Sequence, residues 1–252
     1  MEKKQIYHSV KLEKDRCVGC TTCLKRCPME CIRVRNGKAS ILYELCIDCG
    51  VCVRICPHNA KVAQTDPIDA IFRYKHRIAL PAPTLYGQFR NIASVDHVLN
   101  ALLALGFSDV FEVARAADIV SATMREMLKT TDARPLISSA CPAVVALIQV
   151  LSPKEVAGKM AKEEYSKTHG VPMDEIGAFF ITPCPAKMAS IHSGQSSYVD
   201  GAIAIQDIYG LLSSQLRQPV PETLKKKRHA SWQGVNWATY GGECAALHKS
   251  NT

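Results

Sequence analysis

The sequence predicts two units of different fold class, a small α+β head over residues 1–65 and a larger α/β domain over residues 66–252. Nine of the twelve cysteines lie in the first 64 residues, which also contain two copies of one cysteine pattern. From about Asp66 onward, short apolar runs alternate with stretches of helical periodicity. This change in composition places the predicted boundary near residue 65.

The head contains the pattern C-x2-C-x2-C-x3-C-P twice. The first copy, "CVGCTTCLKRCP", begins at Cys17, and the second, "CIDCGVCVRICP", begins at Cys46. This is the pattern of bacterial ferredoxins with two 4Fe–4S clusters, in which three consecutive cysteines bind one cluster and the fourth crosses to the other. We therefore expect a ferredoxin-like head. The predicted ligands are Cys17, Cys20, Cys23 and Cys56 for the first cluster, and Cys46, Cys49, Cys52 and Cys27 for the second.

Zinc is the alternative metal, because CxxC pairs also occur in zinc sites. Two complete four-cysteine runs that end in Cys-Pro are far more specific for iron–sulfur clusters. Gly19 and Gly50 suit a tight loop whose backbone N–H groups must point at sulfide, and Pro28 and Pro57 turn the chain after the fourth ligand. Such a head stores and relays single electrons and does no bond chemistry itself.

The ninth cysteine of the head, Cys31, falls outside the pattern. When the two copies are aligned on their prolines, "PMEC" lies over "PHNA", so that Cys31 corresponds to Ala60. A free cysteine is a small and readily buried side chain, and we expect Cys31 to serve in packing. A labile spare ligand is the alternative.

The positive charge of the chain is concentrated in the head. Residues 1–64 contain 12 Lys and Arg against 6 Asp and Glu, whereas residues 65–252 contain 19 against 17. Two anionic clusters would offset most of this surplus, and the basic residues would tune their potential. We therefore predict no nucleic-acid partner. The stretch "KKKRH" at residues 225–229 is expected to be a solvated loop, with contact to an acidic partner as the alternative.

The sequence also predicts the cellular compartment. It has no secretory signal, and its longest apolar stretch, "PAVVALIQVL", is too short for a membrane span. Twelve cysteines without a signal peptide favour metal ligation in a reducing compartment over a disulfide framework. We expect a cytoplasmic protein with no membrane span.

The α/β domain is predicted from alternating strands and helices, which are typical of a mostly parallel sheet covered by helices. The helix "SVDHVLNALLALGF" is expected to be capped by Ser94 and to end at Gly106. The predicted strands are "HRIALPAP", "DVFEVA", "RPLIS", "IGAFFIT" and "GAIAIQ", and the other predicted helices are "AADIVSATMREMLK", "PAVVALIQVLS", "SPKEVAGKMAKEEYSKTH" and "DIYGLLSSQL".

Two cysteines of this domain each follow a predicted strand. They are Cys141 in "LISSACPAVV" and Cys184 in "FFITPCPAKM". In parallel sheets, binding sites form beyond the carboxyl ends of the strands. Two cysteines so placed can converge on one ligand, and two unrelated buried thiols are the alternative.

The head followed by "SSACP" and "TPCPAK" resembles the iron-only (FeFe) hydrogenases over residues 12–215. The resemblance implies part of their large-subunit fold, whose catalytic domain holds a 4Fe–4S cubane bridged through a cysteine to a two-iron unit with carbonyl and cyanide ligands. Cys141 matches the second cysteine of the signature TSCCP, which is a cubane ligand. Cys184 and Lys187 match MPCxxK, in which the cysteine is another cubane ligand and the lysine hydrogen-bonds a cyanide.

Three departures from the family concern the chemistry of that centre. Ala140 replaces the first cysteine of TSCCP, which carries protons to the two-iron unit. Ser190 replaces the acidic relay residue that follows the lysine by three, and Thr182 replaces a methionine that packs near the two-iron unit. Both proton-carrying positions are altered, as in the divergent sensory branch of the family.

A third signature of the family, ExMACxxGC, supplies two more cysteines, one for the cubane and one that bridges to the two-iron unit. After Cys184 the sequence contains only Cys244, in "YGGECAALHKSNT", which does not fit that signature. The sequence therefore leaves open whether Cys141 and Cys184 bind a third 4Fe–4S cluster. It contains no match to the cysteine that would bridge such a cluster to a two-iron unit. We expect the chain to be truncated at its C-terminus, with a natural short form as the alternative.

Three functions follow from the resemblance. We favour an electron-transfer or redox-sensing protein that works with an unidentified redox protein partner. The alternatives are the N-terminal part of an active hydrogenase, which oxidises or evolves hydrogen, and an iron–sulfur scaffold protein. No catalytic residue is assigned, and Lys187 is a candidate for a supporting role beside the metal centre.

Overall fold

The computed structural model describes residues 7–89, 92–130, 153–195, 198–218, 225–239 and 241–248. Among these, backbone packing separates two units: residues up to 65 together with 184–195, and the remaining described residues. The predicted strand "RPLIS", the predicted helix "PAVVALIQVLS", Ala140 and Cys141 lie outside the described residues.

The head has the α+β composition that the sequence predicts. Strand β1 (Val10–Leu12) pairs antiparallel with β4 (Lys61–Ala63), and β2 (Ile32–Arg35) pairs antiparallel with β3 (Lys38–Ile41). Each cysteine run continues into a short helix that contains its third cysteine and ends just before its fourth. These helices are α1 (Thr22–Arg26) and α2 (Val51–Ile55).

The two copies of the cysteine pattern have the same backbone conformation. Left-handed residues, with φ between 47° and 76°, recur at equivalent positions of the two copies. The equivalent pairs are Gly19 with Asp48, Thr21 with Gly50, and Glu30 with Asn59. At Gly50 the left-handed conformation favours glycine, and an added Cβ would lie only 2.9 Å from Pro185 Cγ. The two copies therefore repeat in backbone conformation as well as in sequence.

The second unit contains a four-stranded parallel sheet in the order β6-β5-β7-β8. Its strands are β5 (His76–Pro81), β6 (Asp109–Val110), β7 (Ile176–Thr182) and β8 (Gly201–Ala204). Every residue of β7 is buried, as expected for a central strand covered by helices on both faces. The predicted α/β class is therefore observed.

Six further α-helices of the described residues belong to this unit, and one more lies in the first unit together with α1 and α2. The six are α3 (Val95–Ala104), α4 (Val113–Thr130), α5 (Pro153–His169), α7 (Ile205–Leu216), α8 (Trp232–Asn236) and α9 (Gly242–His248), and the seventh is α6 (Pro185–Ser190). Ser94 caps α3 as predicted, since its Oγ accepts a hydrogen bond from His97 N–H at 3.3 Å.

The predicted strand "DVFEVA" is much shorter in the structure. Only Asp109 and Val110 form β6, and α4 begins at Val113. Among the described residues β6 pairs with β5. Backbone hydrogen bonds continue beyond both of its ends, from Ser108 N–H to Arg77 O and from Phe111 N–H to Ala79 O.

The basic stretch at residues 225–229 is a largely exposed loop, as expected, but it also makes hydrogen bonds to acidic side chains. We call residues 225–231 the basic strap. Lys226 Nζ lies 2.6 Å from Asp109 Oδ1, and the backbone N–H groups of Arg228 and His229 donate to Asp96 and Glu112. These acidic contacts lie within the chain, and contact of the stretch with a separate acidic partner stays a prediction.

Two further residues attach the basic strap. Asn100 makes two hydrogen bonds with the backbone of Lys226, at 2.7 and 3.0 Å. Asp118 accepts hydrogen bonds from the N–H and the hydroxyl of Ser231, at 2.8 and 2.6 Å. The side chains of α3, β6 and α4 thus hold the strap along its whole length.

Candidate iron–sulfur sites

The four cysteines predicted for the first cluster border one hollow of the head. Cys17, Cys20 and Cys23 come from the first copy, and Cys56 reaches it from the end of α2. The fourth cysteine of the second copy therefore crosses to the first set, as the pattern requires.

The second predicted set borders a separate hollow. Cys46, Cys49 and Cys52 come from the second copy, and Cys27 crosses from the end of α1. The two hollows share no cysteine. The structure thus brings together both predicted sets of four, and it adds Cys31 to the second hollow.

Two cysteine sulfurs of the first set accept hydrogen bonds from backbone N–H groups. Ala39 N–H donates to Cys17 Sγ at 3.4 Å, and Ala60 N–H donates to Cys56 Sγ at 3.3 Å. Hydrogen bonds to cluster sulfurs are one of the features that set cluster potentials. The backbone around the first hollow is therefore already arranged to act on a bound cluster.

Three thiols of the two sets are weaker acids than an ordinary cysteine. Burial raises the pKa of Cys23 and of Cys46, and it raises the pKa of Cys52 to about 11. Thiols must lose their protons to bind iron. Cluster loading at neutral pH therefore releases protons, and a rise in pH favours it.

The donor chemistry of both hollows fits a 4Fe–4S cluster. Each hollow offers four cysteine thiols, two of the first set are buried, and Val34 and Ala39 supply apolar surface beside them. Soft thiolate ligands in fours suit iron–sulfur clusters. The four first-set cysteines and the four second-set cysteines would hold one cluster each.

Cys31 lies much closer to the second set than packing alone requires. Its side chain is 3% exposed, and its Sγ is 3.4 Å from Cys27 Sγ. Burial and a hydrogen bond to Cys27 raise the pKa of Cys31 to about 12. The site is therefore compatible with both alternatives that the sequence leaves for this thiol.

Replacing Cys31 with alanine is expected to leave the iron content and the EPR spectrum of the reduced protein unchanged. Ala60 fills the equivalent position of the other copy at 2% exposure, so that alanine suits this site. Cys27→Ala is the matched comparison and should disturb the second cluster. Loss of that cluster in Cys31→Ala would contradict the packing role. A cluster that survives Cys27→Ala but not the double replacement would identify Cys31 as a spare ligand.

A buried carboxylate beside the second set is not anticipated by the sequence. Asp48 is 4% exposed and accepts a hydrogen bond from Val10 N–H at 2.9 Å. Its other oxygen is 2.8 Å from His8 Nδ1, and ligand atoms of His8, Asp48 and Cys46 lie within 4.8 Å of one another. Asp48 thereby ties the N-terminal segment to the loop of Cys46 and Cys49. The sequence gives one indication that Asp48 is unusual, because it aligns with Gly19 of the first copy.

The segment after β7 packs within the first unit. Cys184 precedes helix α6 and is partly exposed, and Pro185 is the first residue of the helix. The hydroxyl of Ser9 donates to the carbonyl oxygen of Pro185 at 2.6 Å. Gly50, which borders the second hollow, approaches the ring of the same proline. The residue next to Cys184 is therefore held against the second cluster loop.

The other residues singled out by the resemblance have defined places. Lys187 is partly buried in α6, and Ser190 donates its hydroxyl hydrogen to Lys187 O at 3.0 Å. Thr182 ends β7 and is 1% exposed. Cys244 is exposed on α9. Cys141 and Ala140 lie outside the described residues.

Solved structures similar to this chain are FeFe-hydrogenases. The apo form of HydA1 from Chlamydomonas reinhardtii, in a cysteine-to-histidine variant, is 17% identical with a TM-score of 0.47, over 61% of this chain and 47% of that one. A structure of HydA that concerns stepwise H-cluster assembly is 17% identical with a TM-score of 0.47, over 61% of this chain and 46% of that one. The matched region spans about half the length of these hydrogenases.

No curated protein matches the chain. None of the helices described has the length and apolar character needed to cross a membrane.

The family model of a 4Fe–4S dicluster domain matches residues 9–57, and the family model of the iron only hydrogenase large subunit, C-terminal domain, matches residues 75–252. These matches cover the ferredoxin-like head and the parallel-sheet unit, and the chain belongs to the iron-only hydrogenase large-subunit family, with an iron–sulfur cluster-binding head.

Proposed function

We propose that this protein carries two 4Fe–4S clusters in its head and serves in electron transfer or redox sensing, without turning over hydrogen itself. The observation that carries the proposal is the pair of hollows, each bordered by four cysteines drawn from both copies of the pattern. A bound cluster would accept and pass on one electron at a time. The chain's own residues would hold the clusters and tune their potentials.

A contact beside the second hollow supports a route for electrons from the first cluster through the second to the segment of Cys184. Gly50 borders this hollow and also approaches Pro185, the neighbour of Cys184. The second cluster would then lie on the route between the first cluster and the segment of Cys184. A third cluster with Cys141 and Cys184 among its ligands would be the end of that route inside the chain. An external redox protein would exchange electrons with the first cluster.

The proton-carrying positions argue against hydrogen turnover. A proton must be delivered by a positioned acid–base group at each turnover. Alanine at position 140 has no exchangeable side-chain proton, and the hydroxyl of Ser190 is engaged with the carbonyl oxygen of Lys187. The same two positions carry protons in the family that the sequence resembles.

An active hydrogenase, of which these residues form one part, is the second candidate. Membership of the hydrogenase large-subunit family favours it. The position of Cys184 and Lys187, directly after a buried strand of a parallel sheet, also favours it, since ligands bind beyond the carboxyl ends of such strands. Infrared bands of carbonyl and cyanide ligands in the matured protein would distinguish this candidate from the first.

Anaerobic reconstitution of the 252-residue chain is expected to yield about eight irons, estimated from two cubanes. The irons should be reduced and reoxidised reversibly, with the EPR signals of two clusters. A chain with both Cys20→Ala and Cys49→Ala, one change in each set, is the control and should bind little iron. About twelve irons would add a third cluster to the proposal. Zinc in place of iron after anaerobic purification would refute it.

A further inference from the structure

Lys61 is a buried cation without a partner. The residue lies in β4 and is 3% exposed. Among the residues that the structure describes, no atom forms a hydrogen bond with its Nζ. Burying an ammonium group without hydrogen bonds or a counter-charge is strongly unfavourable. The sequence must therefore place something anionic nearby in the functional protein.

The side chain of Lys61 faces the cluster ligands. It borders the first hollow together with Cys17, Cys20, Cys23 and Cys56. Burial raises the pKa of Cys23, and the charge of Lys61 opposes that rise. No other buried lysine of the described residues belongs to either hollow.

The influence of Lys61 also reaches the second ligand set. Burial raises the pKa of Cys52, and the charge of Lys61 opposes that rise as well. Lys61 itself does not border the second hollow. Its ammonium group therefore acts directly on the first site and at longer range on the second.

The internal repeat indicates that a lysine is not needed for packing. Lys61 aligns with Ile32 of the first copy, which is 1% exposed. Both residues begin a strand, β4 and β2, after equivalent cysteine runs. An apolar side chain thus satisfies the fold at this position of the other copy. The lysine must be retained for its charge.

We infer that Lys61 is the internal counter-charge of the cluster pair and raises the reduction potential of the first cluster more than that of the second. The inference rests on the proposed function, because it requires both clusters. Reduction adds one electron to a cluster that is already anionic. A nearby ammonium group stabilises the more negative, reduced form more strongly, and low local polarity strengthens the effect.

This asymmetry would order the two clusters along the electron route. The first cluster, closer to Lys61, holds an electron more tightly than the second. The second, beside the segment of Cys184, holds it less tightly. Lys61 is therefore a positioning and tuning residue that forms no bond with iron.

The test is an EPR-monitored redox titration of the reconstituted full chain and of Lys61→Met. The replacement is expected to shift the midpoint potential of the first cluster downward by at least the equivalent of a tenfold change in equilibrium constant, about 59 mV for one electron. The second cluster should shift in the same direction by less. Signals of the two clusters are distinguished with Cys56→Ala, which should retain only the second.

Two further variants separate charge from bulk. Lys61→Arg keeps the charge and should keep both potentials close to those of the unaltered protein. Lys25→Met removes the same charge from an exposed position in α1 and should leave the potentials unchanged. Loss of the first cluster in Lys61→Met but not in Lys61→Arg would also support the inference, since the charge would then be needed to retain the cluster.

Three results would overturn the inference. These are equal potentials in Lys61→Met and the unaltered protein at full iron content, loss of iron in both Lys61→Met and Lys61→Arg, or a larger shift of the second cluster. Failure of the proposed function is a separate result, because the unaltered chain would then not bind two clusters at all.

Discussion

Replacing Cys56 with alanine is expected to abolish the first cluster and retain the second, so that the iron content falls from about eight to about four per chain. Cys56 borders the first hollow and not the second, although its three preceding cysteines belong to the second set. The crossing of the fourth ligand therefore decides which cluster is lost. A change in the second copy should remove the cluster held mainly by the first copy.

Among the residues that the structure describes, no fifth cysteine borders the first hollow to replace Cys56. Its neighbour four residues on is Ala60, whose N–H donates to the Cys56 sulfur at 3.3 Å. The equivalent cysteine of the first copy, Cys27, has the Cys31 thiol 3.4 Å away. The effect of Cys56→Ala should therefore be at least as complete as that of Cys27→Ala.

Iron analysis and EPR of the reduced protein check this prediction, with Cys27→Ala as the matched variant. Cys56→Ala should preserve the EPR signal that Cys27→Ala disturbs, and the reverse should also hold. Loss of the second-cluster signal in Cys56→Ala, with the first retained, would show that the fourth ligand does not cross. Retention of all eight irons would exclude Cys56 as a ligand.

Hydrogen turnover by residues 1–252 is expected to be absent even when a mature two-iron cofactor is supplied. Loss of one positioned acid–base group typically lowers a rate by about 10² to 10⁴. Ala140 and Ser190 occupy both proton-carrying positions that the resemblance identifies, and two such losses in series leave little activity. Cys244, the one cysteine after Cys184, is exposed on α9.

The measurement is hydrogen evolution from reduced viologen after maturation, together with infrared spectra of carbonyl and cyanide ligands. Ala140→Cys alone should restore nothing in residues 1–252, whereas in a longer chain with the third signature it should raise the rate. Cys184→Ala removes a predicted cubane ligand. It is the control that shows whether any cofactor binding depends on that ligand. Activity accompanied by both sets of infrared bands would replace the electron-carrier proposal with the hydrogenase.

The grouping of the head cysteines around two hollows could be predicted because the spacing of cysteines constrains the chain locally. The first three cysteines of each run border one hollow. The fourth directly follows a helix of five residues, which carries it to the other hollow. The left-handed positions are less obvious, since Thr21 and Asp48 adopt the conformation that glycine adopts in the other copy. Alignment of the two copies would have revealed them.

Other features depend on contacts between residues far apart in the chain. Lysine in a short strand is normally expected to be exposed, and the sequence does not reveal that Lys61 is buried beside thiols. The basic strap is attached to carboxylates more than 100 residues earlier in the chain, so that local charge patterning cannot identify its partners.

The basic strap also determines when the second unit can be completed during synthesis. His229 follows its partner Glu112 by 117 residues. At roughly 5–20 residues per second, a ribosome needs on the order of ten seconds to make this stretch. Until the strap has been made, Asp96, Asp109 and Glu112 lack the hydrogen-bond donors that Arg228, Lys226 and His229 supply. These contacts therefore form only after the central strand β7 and the strap have both been synthesised.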